Sequence, residues 1–161
     1  MTPALRLLFD DCLSKKAVIA MQALAEFSKG TVELAHLVDH GLSGAIDDAW
    51  IEAIKGQGWI IITTDRGKKP SRGGKLPYIC QGKLVTHIMM SGSLHKRNTF
   101  DKLRAVFEVW PDILAASSAV AGCGYLLQDM GGTPSGRAKL AKLTEPPDVE
   151  DTRNTQTSFL E

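Results

Sequence analysis

The sequence predicts an α/β fold, a three-layer sandwich around a parallel sheet of four to five strands. Short continuous apolar runs alternate with segments whose apolar residues recur every three or four positions. Strands buried on both faces read as continuous apolar runs, whereas amphipathic helices show a period of about 3.6 residues. With 161 residues, of which 43% are apolar, the chain has the length and composition of one domain that needs no disulfides for its core.

The first strand and the first helix are marked by a change in the apolar pattern. Residues 6–9 form an apolar run that stops at Asp10 and Asp11, as expected of a buried strand that enters a loop. Ser14 is placed to cap the following helix, because serine side chains accept hydrogen bonds from free N–H groups at helix starts. The predicted helix carries apolar residues at helical spacing and ends before Gly30.

The next two strands and the helix between them follow the same alternation. Residues 32–38 are predicted to form the second strand. Asp47 and Asp48 begin a helix, in whose first turn acidic side chains are stabilised by the helix dipole. Residues 59–64 give the clearest strand of the sequence, and it also ends in an acid, Asp65.

The carboxyl-terminal half is predicted to add a loop, two strands and a broken helix. Residues 66–77 are rich in glycine, proline, lysine and arginine, which indicates a loop. Residues 84–90 and 124–127 read as the remaining strands. A helix is predicted over residues 98–113, and Pro111 should kink or restart it because proline lacks the N–H group that a helix interior uses.

Composition and cysteine spacing bear on the domain limits and on the cellular setting. Residues 1–143 are predicted to form the domain, and the polar residues 144–161 a disordered tail. Cys12, Cys80 and Cys123 are far apart and odd in number, which fits neither a disulfide framework nor a zinc site and favours a reducing, cytoplasmic setting. No apolar run reaches about 18 residues, so no membrane span is expected.

The formal net charge of +1 is the sum of three blocks of sequence whose charges alternate in sign. Residues 1–65 carry 5 Lys/Arg and 9 Asp/Glu, residues 66–104 carry 10 and 1, and residues 105–161 carry 4 and 8. An acidic cluster beside a basic block is typical of an enzyme that binds a metal ion and a phosphodiester backbone. The alternative is that the basic residues are scattered over a solvated surface.

Two strands are predicted to end in an aspartate, and a third aspartate begins a helix. Ligands of parallel sheets bind at the carboxyl ends of the strands, so Asp10, Asp47 and Asp65 should converge if their strands are adjacent. Carboxylates that share a small space repel one another, and a hard divalent cation such as Mg²⁺, Mn²⁺ or Ca²⁺ relieves the repulsion. Such a metal activates water for displacement at phosphorus. The alternative role of each aspartate is a loop or helix cap.

Three motifs occur in order between Leu7 and Asp65. They are Leu8-Phe9-Asp10-Asp11-Cys12-Leu13-Ser14, then Gly41-Leu42-Ser43-Gly44-Ala45-Ile46-Asp47, then Ile62-Thr63-Thr64-Asp65. As a set they resemble the PIN-like domain family of toxin-type ribonucleases. That family's pattern is a strand ending Leu-Asp-Glu-Asn-Leu-Ser, a Gly-Leu segment followed by Asp, and a strand ending Thr-x-Asp.

The resemblance implies a metal-dependent nuclease. The metal ligands that it implies are Asp10, Asp47, Asp65 and Asp11, of which the first three are also catalytic. It implies Mg²⁺ or Mn²⁺ as the cofactor, hydrolysis of RNA phosphodiester bonds, an antitoxin protein as a partner and a homodimer. Cys12 stands where the family pattern has Asn, and Arg66 where an acid often follows. These departures keep open a catalytically degenerate PIN-like module that binds nucleic acid or a protein partner.

Other residues are assigned to supporting roles and to substrate contacts. Three hydroxyl side chains are predicted to support the site by hydrogen bonds, namely Thr63, Thr64 and Ser14, although Ser14 is first of all a helix cap. The residues predicted to contact nucleic-acid phosphates are Arg66, Lys68, Lys69, Arg72, Lys75, Lys96 and Arg97. Tyr78 is the aromatic residue expected to stack on a base, and His87 is expected to be a satisfied core or supporting histidine.

Two further classes of protein remain open. A receiver-like phosphoacceptor domain also places an acidic pair beside Mg²⁺, and Asp10 with Asp11 fits that pair. The apolar strand that ends at Asp65 does not fit it. A structural or assembly protein, with residues 144–161 as its contact, is the other class.

Overall fold

Helical segments separate successive strands along the chain as far as the last two strands. The computed structural model describes residues 5–27, 30–42, 44–64, 76–129 and 137–145. The strands in these residues are β1 (Leu5–Phe9), β2 (Val32–His36), β3 (Trp59–Thr63), β4 (His87–Met90), β5 (Gly124–Asp129) and β6 (Ala138–Thr144). The helices are α1 (Lys15–Ala25), α2 (Asp47–Ile54), α3 (Leu76–Gly82), α4 (Gly92–His95), α5 (Thr99–Glu108) and α6 (Trp110–Ser117), and a 3₁₀ turn covers Leu37–His40.

The six described strands form one sheet in the order β2-β1-β3-β4-β5-β6. All neighbouring pairs from β2 to β5 are parallel, and β6 pairs antiparallel with β5. The predicted α/β class with a parallel sheet is confirmed. The predicted number of strands is too low by at least one, because β6 was not recognised.

Helices cover both faces of the sheet, so the protein has three layers. On one face, side chains such as Leu7 and Phe9 pack with residues of α1, α5 and α6. On the other face, Leu8 and Ile61 pack with Trp50 of α2 and with α3. Because successive side chains of a strand point to opposite faces, burial of both faces requires the continuous apolar runs seen in the sequence.

The exposed edge of β2 is covered by a side chain of the neighbouring helix. The Gln22 amide on α1 donates a hydrogen bond to the Val32 carbonyl at 3.2 Å and accepts one from the Leu34 N–H at 2.6 Å. A glutamine side chain thus satisfies two backbone groups that would otherwise form an open strand edge. This contact also fixes α1 against β2.

Several segments differ from the sequence-based predictions. Leu37 and Val38 lie in the 3₁₀ turn and not in the second strand. Residues 84–86 precede β4, and Leu84 adopts a positive φ of 56°, which a strand does not allow. Leu76 and Pro77 begin α3 instead of ending a loop. The antiparallel strand β6 was missed because its alternating lysine, alanine and leucine residues have weak strand propensity.

The break in the predicted helix of residues 98–113 is confirmed. It divides into α5 and α6, and Pro111 lies in the first turn of α6, where its missing N–H costs nothing. The predicted tail would begin at Thr144, the last residue of β6, and residues 146–161 lie outside the described part. The domain limits therefore stay a prediction. The three cysteines are free, and no described helix is long and apolar enough to span a membrane.

Candidate metal centre at the carboxyl edge of the sheet

The sheet changes direction between β1 and β3. From β1 the chain moves to β2 on one side, and it then returns to place β3 on the other side of β1. In open α/β sheets, the carboxyl ends of strands at such a switch point form a crevice in which ligands bind. Asp10 directly follows β1, and Thr63 and Thr64 lie at the end of β3.

Asp10 is held in place by its neighbours in the crevice. Its Oδ1 accepts a hydrogen bond from the Cys12 N–H at 2.9 Å, and its Oδ2 accepts one from the Thr63 hydroxyl. Burial raises the pKa of Asp10 above its ordinary value, aided by the nearby charge of Asp11, and these hydrogen bonds only partly oppose the rise. An aspartate that is desolvated in this way gains more from a bound cation than a solvated one does.

Asp10 opens onto a pocket of about 350 Å³, here called the acid pocket. Its lining residues are Asp10, Asp11, Cys12, Leu37, Leu42, Gly44, Ala45, Asp47, Trp50 and Thr64. Three of the predicted metal-binding aspartates therefore face one space, together with one of the predicted supporting threonines. The side chain of the other, Thr63, is fully buried and bonds to Asp10.

Asp47 is positioned by the start of α2. It is the first residue of the helix, and its Oδ1 accepts a hydrogen bond from the Trp50 indole N–H at 3.0 Å. Residues three apart on a helix are neighbours, and this spacing brings the two side chains together. Asp48, the next residue, is exposed and lies 3.6 Å from the Lys83 ammonium. Asp47 thus faces the acid pocket, whereas Asp48 belongs to a surface ion-pair cluster.

Asp11 is the most exposed of the three aspartates, with a side-chain exposure of 77%. Its Oδ1 lies 3.9 Å from Nε2 of the buried His36. That histidine accepts a hydrogen bond from the Val38 N–H at Nδ1, so Nε2 carries the proton and donates it to the Leu13 carbonyl at 2.9 Å. His36 therefore fastens the loop that carries the two adjacent acids, a role that the sequence analysis did not assign to it.

Cys12 lies against Asp10 at the position where the family pattern has Asn. Burial and the Asp10 carboxylate raise the pKa of the Cys12 thiol well above its ordinary value, so the thiol stays protonated. Its Sγ donates to the Ile62 carbonyl at 3.5 Å. The ammonium of Lys102 on α5 is near enough to lower this pKa slightly, so a positive charge borders the site. No sequence motif marked Lys102.

Ser14 has the structural role of a helix cap. Its Oγ accepts a hydrogen bond from the Ala17 N–H at 3.2 Å at the start of α1. Ser14 does not line the acid pocket. Its predicted support of the metal site is therefore limited to fixing the end of the loop that begins at Asp10.

Loss of this cap has a graded, measurable effect. Ser14→Ala is expected to reduce the free energy of unfolding by about 1 kcal/mol, and Ser14→Gly by only a few tenths, because glycine leaves the helix end open to water. Urea unfolding followed by circular dichroism measures both. Equal losses for the two variants would contradict the capping role.

Most of the predicted phosphate contacts lie in a segment that the structure does not describe. That segment, residues 65–75, contains Asp65 and the basic residues Arg66, Lys68, Lys69, Arg72 and Lys75. Their assignments stay predictions. Lys96 is exposed after α4, on the carboxyl side of β4. Arg97 lies 3.4 Å from Asp129 and 3.8 Å from Asp101, so its guanidinium also takes part in an ion-pair network.

Asp129 is an acid at a strand end that the sequence analysis missed. It is the last residue of β5, its side chain is fully buried, and the Arg104 guanidinium contacts it at 2.7 Å. The signal, an acid near the end of an apolar run, is weaker than for Asp10 because Gln128 separates Asp129 from the apolar residues. The strand was predicted to end at Leu127, two residues too early, and Asp129 was therefore not considered.

The described part of the acid pocket supplies some of the ligands that a divalent metal needs. Carboxylate oxygens suit Mg²⁺ and Mn²⁺, and the desolvated Asp10 fits such an ion. However, no three His, Cys, Asp or Glu side chains within the described residues come together closely enough to hold a metal. Asp65, the predicted third ligand, follows the pocket residue Thr64 but is outside those residues.

Residues 5–71 match the family model of the PIN-like domain. Over these residues the chain is similar to PIN-like domains. The match spans β1 to β3 and includes Asp10, Asp47 and Asp65. PIN-like domains are generally nucleases that use divalent metal ions, and the mostly parallel sheet agrees with a PIN-like sandwich. Neither a curated protein nor a solved structure matches the chain.

Proposed function

We propose that the protein is a Mg²⁺- or Mn²⁺-dependent endoribonuclease that hydrolyses RNA phosphodiester bonds. The observation that carries the proposal is the convergence of Asp10 and Asp47 on the acid pocket at the switch point of a PIN-like sheet. The raised pKa of Asp10 supports it, because desolvated acids with altered pKa values cluster at functional sites.

The proposed metal site combines four acids. Asp10, Asp47 and Asp65 would bind the ion, and the exposed Asp11 would complete its shell directly or through water. The bound metal would supply Lewis-acid stabilisation of the phosphoryl oxygens and a water molecule of lowered pKa. The protein's own part would be to hold Asp10 and Asp47 in place for the ion, through their hydrogen bonds with Thr63 and Trp50.

The proposed substrate path follows the basic part of the chain. Thr64, which lines the acid pocket, is the last described residue before the basic residues 66–75, and Lys96 lies after β4 at the carboxyl edge of the sheet. Lys102 adds a charge near Cys12. Contacts of this type with phosphates position a strand without reading its sequence. A toxin role, an antitoxin partner, a homodimer and a cytoplasmic setting are extensions of this proposal that rest on the family resemblance and the cysteine pattern alone.

The second candidate function is a degenerate PIN-like module that binds nucleic acid or a protein without cutting. One observation favours it. A protonated thiol, Cys12, lies against Asp10 where the family pattern has an amide. Metal affinity separates the two candidates.

The test is a calorimetric titration with Mn²⁺ of the wild type, Asp47→Asn and Asp48→Asn. The wild type is expected to bind saturably, and Asp47→Asn at least about tenfold more weakly because the pocket loses a charged oxygen donor. Asp48→Asn is the matched control, since the adjacent aspartate lies outside the acid pocket, and it should bind as the wild type does. A folded wild type without saturable Mn²⁺ binding would favour the degenerate module.

A further inference from the structure

A second, smaller pocket of about 120 Å³ lies between α3 and the sheet. Its lining residues are Pro77, Tyr78, Gln81, His87, Met89 and Thr144, and it is called the His87 pocket here. In β4, His87 pairs with Ile61, whose side chain belongs to the core under α2 and α3. Because paired residues of neighbouring strands point to the same face, the His87 pocket opens on the face that α3 covers.

His87 presents an unused hydrogen-bond acceptor to this pocket. The residue is only 2% exposed, and its Nδ1 lies 3.3 Å from the Val85 carbonyl. A carbonyl can only accept, so Nδ1 carries the proton and Nε2 carries a lone pair. Burial lowers the pKa of His87, which keeps the ring neutral. His87 is thus buried in the core as predicted, although no described residue bonds to its Nε2.

Thr144 places a second unpaired polar atom at the same point. Its Oγ1 is buried and has no hydrogen-bond partner. Gly124 pairs with both residues across the sheet, and a Cβ atom there would collide with that oxygen and with Nε2 of His87. The lack of a Cβ atom therefore lets the two polar atoms lie close to one point. A buried polar group without a hydrogen-bond partner destabilises the folded protein, so a ligand that completes these bonds is favoured.

The rim of the His87 pocket suits a flat ring. Tyr78 is 63% exposed at the mouth, and Met89 is half-buried within the pocket. Aromatic side chains bind nucleic-acid bases by stacking, whatever the base. A volume of about 120 Å³ is well below the roughly 300 Å³ at which pockets for larger ligands begin, which favours one ring over two.

We propose that the His87 pocket binds a single pyrimidine base of the RNA, an inference that rests on the proposed RNA substrate. The cytosine amino group would donate to Nε2 of His87, and the adjacent ring nitrogen would accept from the Thr144 hydroxyl. For uracil, the ring N–H would donate to the histidine and a carbonyl would accept from the threonine. Tyr78 would stack on the base at the mouth of the pocket. The nuclease would therefore prefer sites that contain a pyrimidine.

The test is an NMR titration of the metal-free protein that follows the His87 ring signals. Cytidine and uridine monophosphate are expected to shift them saturably. Adenosine monophosphate and ribose 5-phosphate should not, because the first carries two fused rings and the second carries no base. Equal binding of adenosine monophosphate, or the same shifts with ribose 5-phosphate, would overturn the assignment.

Two variants distinguish base binding from a structural role. Thr144→Val keeps the shape and removes the unpaired hydroxyl, so the Tm should not fall while cytidine monophosphate binds up to about tenfold more weakly. Ser117→Ala, a surface hydroxyl outside the His87 pocket, is the control and should bind normally. Unchanged binding by Thr144→Val would contradict the proposal.

The titration needs neither metal nor cleavage, so its outcome is separable from that of the nuclease assay. Pyrimidine binding without RNA cutting would support the His87 pocket and reject the endoribonuclease. RNA cutting without nucleotide binding would support the endoribonuclease and reject the His87 pocket as a base-binding site.

Discussion

Asp10→Asn is expected to raise the Tm of the metal-free protein and to abolish its stabilisation by Mn²⁺. The folded state raises the pKa of Asp10 above the ordinary value of 3.8, chiefly through burial. Protonation of Asp10 therefore stabilises the folded state. This contribution is fully present at pH values below 3.8, and it is lost as the pH rises through the higher pKa of the folded state. At neutral pH the buried charge is a cost, which asparagine removes while it preserves the shape of the side chain.

The measurement is a set of thermal melts at pH 4 and pH 7, with and without Mn²⁺. Without metal, the variant should melt about 2–4 °C above the wild type at pH 7, as about 1 kcal/mol would produce, and the difference should shrink at pH 4. Mn²⁺ should raise the Tm of the wild type only, because a ligand stabilises the state that binds it. Asp11→Asn is the control for the metal-free melts, since the Asp11 side chain is exposed. A variant that is less stable than the wild type at pH 7 would contradict this account of Asp10.

Asp129→Asn is expected to cause the largest loss of stability among the charged residues discussed. The side chain of Asp129 is fully buried, and it neutralises the guanidinium groups of Arg104 at 2.7 Å and Arg97 at 3.4 Å. Removal of one partner from a buried ion pair typically costs about 3–5 kcal/mol. Both arginine side chains are more than a third exposed, so water can solvate their charges in the variant. The expected loss in the free energy of unfolding is therefore about 2 kcal/mol.

Differential scanning calorimetry measures this loss as a fall in Tm of about 4–8 °C. Asp112→Asn is the matched control, because Asp112 is an exposed acid on α6 and should change the Tm little. Since the network also orients Arg97 at the carboxyl edge, the Asp129 variant should bind single-stranded RNA more weakly at low salt. A Tm change equal to that of the control would show that the buried ion pair is not important for stability.

The extent to which the fold could be predicted depended on how each strand is buried. β1 and β3 are covered on both faces, and their continuous apolar runs identified them at once. The edge strand β6 is half-exposed and lysine-rich, and it is held by pairing with β5 rather than by its own composition. The backbone conformation of Leu84 could not be predicted either, because its positive φ depends on tertiary packing and not on residue type.

The candidate site was predictable where chain position alone determines geometry. Asp10 follows a strand and Asp47 begins a helix, and both face the acid pocket. The links through His36 and Asp129 join residues 23 and 25 positions apart, which no local pattern indicates. The free acceptor of His87 was hidden for a similar reason, since its surroundings come from β5, β6 and α3.

Cleavage of labelled single-stranded RNA by the purified protein tests the central claim most directly. The assay compares Mn²⁺, Mg²⁺ and EDTA for the wild type and an Asp10→Asn/Asp65→Asn double variant. The account predicts cutting with either metal, none with EDTA, and none by the double variant with either metal. A well-folded wild type that leaves RNA intact with both metals, or a double variant that cuts as the wild type does, would contradict it.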